Sequence, residues 1–298
     1  MSLQHIKNAV WFPVLLILIS MTSIQGGAAL AKTLFPAIGA PGITALRLGL
    51  GTLILCVIFK PWRLRFQRNQ LLPLILYGLS LGGMNYIFYL SLRTVPLGIA
   101  VALEFTGPLT LALLASRRPL DFLWVVLALL GLLFLLPLGQ HVSDVDPLGA
   151  FLALCAGGLW ALYILAGKRA GSQHGPATVA AGSLIGAIIF VPLGLTFANS
   201  GSLTLAILPI GLTLAVLSSA LPYSLEMVAL TRMPSRTFGT LMSLEPAMAA
   251  LSGILFLGEI LTLTQWLALL AIIVASAGST MTMRPAKTDV ISLNDQKD

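Results

Sequence analysis

The sequence predicts an all-α integral membrane protein, with ten transmembrane helices arranged as two inverted five-helix repeats and both termini cytoplasmic. Three observations predict it. Of the 298 residues, 57% are hydrophobic and only 9% are charged, where soluble domains carry about 25% charge. The mean hydropathy of +0.97 leaves too little polar surface to face water. Apolar runs of about 20 residues, the length that spans a bilayer, recur along the whole chain. Finally, the second half repeats the first.

The runs lie at 10–32, 41–59, 71–92, 96–116, 121–139, 148–167, 176–198, 204–231, 236–257 and 262–283. Pro41, Pro61, Pro96, Pro119, Pro147, Pro176 and Pro234 sit at the joints, where a residue without an N–H starts or stops a helix readily. Connections are short, which excludes a soluble domain between spans. The first run, with Lys7 before it and Ala29-Leu30-Ala31 after it, imitates a secretory signal. Its removal would leave an odd number of spans and break the symmetry, so the first helix is expected to stay. Residues 284–298 form a polar cytoplasmic tail.

Charge sets the direction. Cytoplasmic flanks carry an excess of Lys and Arg. With the N-terminus inside, those segments hold Lys7, then Lys60, Arg63, Arg65 and Arg68, then Arg117 and Arg118, then Lys168 and Arg169, then Arg232 and Arg236, then Arg284, Lys287 and Lys297. Asp144, Asp146 and Glu259 fall on the opposite side. The net charge of +7 is therefore read as contact with anionic membrane lipids and not as a nucleic-acid surface. Cys56 and Cys155 lie within apolar runs, and His5, His141 and His174 are scattered. No metal site and no cofactor are expected.

A shift of 138 residues aligns the third-to-fifth spans with the eighth-to-tenth. Leu79-Ser80 meets Leu217-Ser218, Pro96 meets Pro234, Leu103 meets Leu241, and Pro108 meets Pro246. Ala112-Leu113 meets Ala250-Leu251, and Asp121 meets Glu259. A unit of five helices places its second copy upside down, the architecture on which alternating access is built. The two units are 10–139 and 148–283.

Charged groups at membrane depth cost about 2.5–3.5 kcal/mol on insertion scales and usually face protein or a water-filled cavity. Glu104 and Glu245 stand near the middle of the fourth and ninth spans. Two roles fit each: substrate or proton binding, or a helix-joining hydrogen bond. Pro108 and Pro246 each remove a backbone donor, giving a helix kink that either frees a carbonyl for a ligand or serves packing. Lys32, Arg47 and Arg93 lie toward the outer ends of their spans, to attract a substrate carboxylate or to snorkel. Glu226 is read as an ion pair with Arg232 near the cytoplasmic end, or as a ligand. Gln25, Asn85, Tyr86, Tyr89, Trp160, Tyr163, Ser218, Ser219 and Tyr223 are candidates to line a path. Gly78 with Gly82, and Gly182 with Gly186, have the spacing that lets helices approach closely.

The segments SIQGGAALAK (Ser23–Lys32), GAPGITALRL (Gly39–Leu48), PLGIAVALEFTGPL (Pro96–Leu109) and SRTFGTLMSLEPA (Ser235–Ala247) resemble the paired EamA domains of the drug/metabolite transporter superfamily over nearly the whole chain. Within that superfamily they are similar to its small-amino-acid exporters. The resemblance implies export of threonine, homoserine and relatives across the bacterial inner membrane, drawing on the proton motive force, as a monomer or homodimer. Export of another metabolite or drug stays open as an alternative. There is no Walker A sequence for ATP drive, and no acidic pair or His cluster of a membrane transferase, so no enzyme activity is expected.

Overall fold

The computed structural model describes residues 11–65, 67–114, 119–135, 145–171, 177–199, 207–230, 241–242 and 244–282. Lys7, Arg117, Arg118, Asp144, Arg232, Arg236 and the tail at 284–298 lie outside the described residues, as does the side chain of Asp121. Among the described residues the regular structure is all helical. The principal helices are α1 (Trp11–Thr33), α2 (Ala40–Phe59), α3 (Arg68–Ser91), α4 (Leu97–Leu114), α5 (Pro119–Leu135), α6 (Pro147–Ala170), α7 (Ala177–Thr196), α8 (208–230), α9 (Glu245–Leu257) and α10 (Leu263–Thr282). Six stretches, in α1, α2, α3, α6, α7 and α8, are long and apolar enough to cross a membrane. Shorter apolar stretches occupy α4, α9 and α10.

Leu53, Val57, Leu72, Ile188 and Phe256 project outward from the bundle, each more than half exposed. Gln25, Arg47, Asn85, Glu104 and Glu245 are buried inside it. Lipid accepts the first set, and a protein interior with polar partners accepts the second. The chain is thus a multi-pass membrane protein with a polar centre.

Helix starts follow the prolines. Pro41 and Pro147 occupy the first turns of α2 and α6, where a missing N–H leaves no bond unmade. Asp146 caps α6 by accepting from the Leu148 and Gly149 amides. The Gly149 amide and the Thr94 hydroxyl hold its carboxyl below the usual carboxylate range. α3 starts at Arg68, earlier than the apolar pattern indicated, because Gln67 and Gln70 close a capping box ahead of it.

Close helix contacts are made by small residues. Gly78 and Gly82 of α3 face Gly182 and Gly186 of α7, so the two glycine pairs are partners. A Cβ on Gly78 would lie 2.6 Å from the Gly182 carbonyl oxygen, and one on Gly186 would lie 2.7 Å from that of Gly78. α4 and α6 meet still more closely, with Gly107 against the Gly157 carbonyl and Gly157 against the Glu104 carbonyl. α3 packs on α6 and α7, α8 on α1 and α2, α4 on α6, α9 on α1, and the pairs α2–α7, α4–α9 and α5–α10 complete the bundle.

Candidate functional site

Most of the polar side chains singled out in the sequence converge on one cavity of about 80 Å³ at the centre of the bundle. Gln25 reaches it from α1, Arg47 from α2, Asn85 and Tyr89 from α3, and Glu104 from α4. Trp160 and Tyr163 come from α6, Tyr223 from α8 and Glu245 from α9. Ile24, Met84, Phe88, Val101 and Met242 supply the apolar wall.

The cation is fixed by a local distortion of α8. Residues Val216–Ala220 form a π-helical turn between the α-helical segments Leu208–Ala215 and Leu221–Leu230. Pro222 has no N–H to offer the Ser218 carbonyl one turn earlier. Arg47 Nη2 donates to that carbonyl at 2.7 Å, and Ser23 Oγ donates to the neighbouring Leu217 carbonyl at 2.7 Å. The guanidinium also lies 5.0 Å over the Tyr89 ring, a favourable cation–π placement. Arg47 is only 4% exposed, yet its Nε has no hydrogen-bond partner among the described residues.

Two acids share the cavity with this cation, Glu104, 8% exposed, and Glu245, 7% exposed. Gln25 Nε2 donates to Glu245 Oε1 at 3.2 Å. Among the described residues Glu245 Oε2 and Tyr89 Oη are also buried and unpartnered. A buried polar atom left without a partner costs about 1–3 kcal/mol. The site therefore presents an unpartnered donor on Arg47 and an unpartnered acceptor on Glu245, the complement of a zwitterion whose carboxylate accepts and whose ammonium donates.

Several expectations change. Pro108 sits inside α4 as read from the sequence. Around Pro246, Leu241 and Met242 are helical, Leu244 is a turn, and α9 begins at Glu245, so the proline falls in the first turn after that break. The opening of α9 also places the Glu245 carboxylate at a helix N-terminus, where the dipole favours it. Glu226, read as a partner of Arg232 or as a ligand, lines the central cavity and accepts from Ser20 Oγ at 2.7 Å, while Arg232 lies outside the described residues.

Lys32 stays out of the cavity. Its ammonium pairs with Glu259 at 2.6 Å and donates to the Val95 carbonyl at 2.9 Å. Glu259 also accepts from the Leu97 amide at the start of α4, at 2.9 Å to Oε2. Gly258, with φ +65°, takes the left-handed turn that carries Glu259 back toward α1 and α4. Tyr86 turns away from the centre and lines a second cleft of about 450 Å³ with Phe35, Gly39, Pro41, Arg93 and Asn199. Phe35 of that cleft packs 6.1 Å from Tyr89 of the central cavity.

The sequence reading missed one regularity. Gln25 and Tyr163, Asn85 and Tyr223, Phe88 and Glu226, and Glu104 and Met242 all line the cavity, and the members of each pair stand 138 positions apart. These four positions in one half thus have their counterparts in the other, and together they make up half of the cavity lining. The shift was available from sequence, but which of its pairs face inward was not.

The EamA-like transporter family profile matches residues 147–281. The threonine/homoserine exporter RhtA of Salmonella typhimurium (strain SL1344) is 70% identical over 278 residues, covering 93% of this chain and 94% of that protein. The threonine/homoserine exporter RhtA of Escherichia coli (strain K12) is 68% identical over the same shares. A solved crystal structure with 19% identity superposes with a TM-score of 0.62, covering 90% of this chain and 97% of the other, a likeness of fold alone. Identity at this level along almost the full length, together with the profile match, shows that the chain belongs to the EamA-like transporter family.

Proposed function

We propose that this chain exports threonine, homoserine and related small amino acids across the bacterial inner membrane as a secondary transporter driven by the proton motive force. The observation that carries the reading is the central cavity, where Arg47 Nε and Glu245 Oε2 are buried polar atoms of opposite character. The α-carboxylate would take the Arg47 end and the α-ammonium the Glu245 and Glu104 end. The 70% and 68% identical relatives, both threonine/homoserine exporters, support the cargo.

The movement we propose is alternating access, with 10–139 and 148–283 rocking as inverted repeats about the cavity and both termini in the cytoplasm. Helix packing supports the repeat. Exchanging each helix with the one five later turns α3–α6 into α8–α1, α4–α6 into α9–α1 and α3–α7 into α8–α2, all of them observed contacts. The cavity pairs 138 residues apart support the same axis. At about 80 Å³ the cavity is small beside the roughly 300–1,000 Å³ of ligand pockets, so cargo binding requires the halves to part. The Lys32–Glu259 pair and the Phe35–Tyr89 contact would separate on the periplasmic side.

The test is efflux of labelled threonine from loaded proteoliposomes. The wild type is expected to release it faster than protein-free vesicles, and Glu104→Gln with Glu245→Gln together to lower the rate by tenfold or more, about 1.4 kcal/mol. Unaltered efflux in the double variant across pH would overturn the assignment of these acids, and no efflux by the wild type would overturn the cargo.

A further inference from the structure

The proposed mechanism leaves one cavity carboxyl unused. Glu226 sits in the C-terminal half of α8 and lines the same cavity as Arg47, Glu104 and Glu245. Among the described residues three acids share that space with one guanidinium. Full ionisation would leave two negative charges uncompensated in a small enclosure, which neighbouring carboxylates avoid by retaining protons. A zwitterionic cargo brings no net charge and does not change this balance. Some acid in the cavity must therefore carry a proton when the others engage Arg47 and the cargo.

The hydrogen bonds single out Glu226. Ser20, fully buried, has its hydroxyl oxygen 2.7 Å from Glu226 Oε1 and 3.2 Å from the Pro222 carbonyl oxygen. A serine hydroxyl has one hydrogen to give and two lone pairs to accept with. When Glu226 is protonated, its O–H donates to Ser20 and the Ser20 hydrogen turns to the Pro222 carbonyl. Both contacts are then made. When Glu226 is ionised, the Ser20 hydrogen turns to the carboxylate. One hydroxyl rotation thus satisfies either charge state with no other group moving.

Neither of the other acids has this arrangement. Gln25 donates to Glu245 through Nε2, a contact suited to the ionised form, and Glu104 lines the cavity without a serine hydroxyl beside it in the lining. Among the described residues the ionisable groups that line the cavity with Glu226 are Arg47 of α2, Tyr89 of α3, Glu104 of α4, Tyr163 of α6, Tyr223 of α8 and Glu245 of α9, with Ser20 of α1 as its hydrogen-bond partner. Arg47 is the one cation among them, and its guanidinium is engaged by the Ser218 carbonyl and the Tyr89 ring. The counterpart of Glu226 in the first half, 138 residues earlier, is Phe88, so the exchangeable proton belongs to one half only.

We propose that Glu226 is the proton carrier of this transporter, with Ser20 as its rotating hydrogen-bond partner, and that Arg47 and Glu245 hold the cargo. The inference rests on the proposed coupled export. Protonated Glu226 gives its proton up to the cytoplasmic side and regains it from the periplasmic side, while threonine moves the other way. Driven transport then needs Glu226, and exchange of threonine for threonine does not.

The experiment compares two modes in proteoliposomes. With a gradient of one pH unit, one proton per threonine gives about tenfold accumulation. Glu226→Gln is expected to give a ratio of about one while keeping the wild-type threonine exchange rate, which also shows that it is folded. Glu226→Asp is expected to restore the drive, and Ser20→Ala to shift the pH midpoint of driven transport. Glu245→Gln is expected to lose both modes. Full drive in Glu226→Gln overturns the inference and leaves the export reading standing. So does an equal loss of drive in Arg232→Gln, which would make Glu226 an ion-pair partner. Absence of threonine exchange in the wild type overturns the export reading itself.

Discussion

Arg47→Met is expected to abolish threonine export while leaving a folded protein in the membrane. The guanidinium is the one cation in the cavity among the described residues, and α2 carries it to a carbonyl that Pro222 leaves open. A cargo carboxylate entering the bundle loses its hydration, and only a charge already held in place offsets that loss. Truncating one partner of a buried charge pair costs about 2–5 kcal/mol, or roughly 30- to several-thousand-fold in affinity. Stability responds less, because among the described residues Arg47 makes no ion pair and its loss unmakes one hydrogen bond, to the Ser218 carbonyl, worth about 1.5–3 kcal/mol for a charged donor. Arg47→Lys is expected to restore little. It keeps the charge but not the fork that spans the Ser218 carbonyl and a carboxylate together. Efflux of labelled threonine, with membrane abundance measured alongside, checks both halves of the expectation.

Gly157→Val is expected to prevent folding, whereas Gly158→Val one position later is not. At Gly157 the backbones of α4 and α6 touch, and a new Cβ would collide with the Glu104 carbonyl. The obstacle is main chain on both sides, so no side-chain rotation relieves it and the helices must separate. Overpacking a well-filled interior costs about 1–3 kcal/mol and occasionally more, and separation here would also displace Glu104 and break the Phe105–Trp160 ring contact at 5.7 Å. Gly158 is exposed and has nothing within 4 Å of its Cβ position. Size-exclusion profiles and thermal unfolding in detergent distinguish the two variants.

The legible part of this molecule was set by the solvent. Hydrocarbon penalises every charge and every unpaired backbone group, so Glu104, Glu245 and Arg47 stood out within apolar runs, and the spans followed from length. Depth along a helix could be read, but direction around it could not. Tyr86 and Tyr89 looked equivalent in sequence, yet Tyr86 lines the cleft and Tyr89 the central cavity. The partner of Lys32 is hidden for a related reason, since Glu259 arrives from 227 positions away through a left-handed glycine. Arg232 is near Glu226 in sequence, whereas Ser20 reaches Glu226 from across the bundle, which no local spacing shows. Pro222 obeyed the same donor-removal rule as Pro108. What stayed hidden was that Arg47 would take the carbonyl it frees.

The most direct measurement is a binding comparison between threonine and threonine amide, which lacks the carboxylate, on wild-type and Arg47→Gln protein. If the cargo carboxylate rests on Arg47, the wild type prefers threonine by about tenfold or more and the variant loses that preference, a coupling of 1.4 kcal/mol or above. If Arg47→Gln weakens threonine and its amide equally, the carboxylate binds elsewhere and the central assignment is wrong.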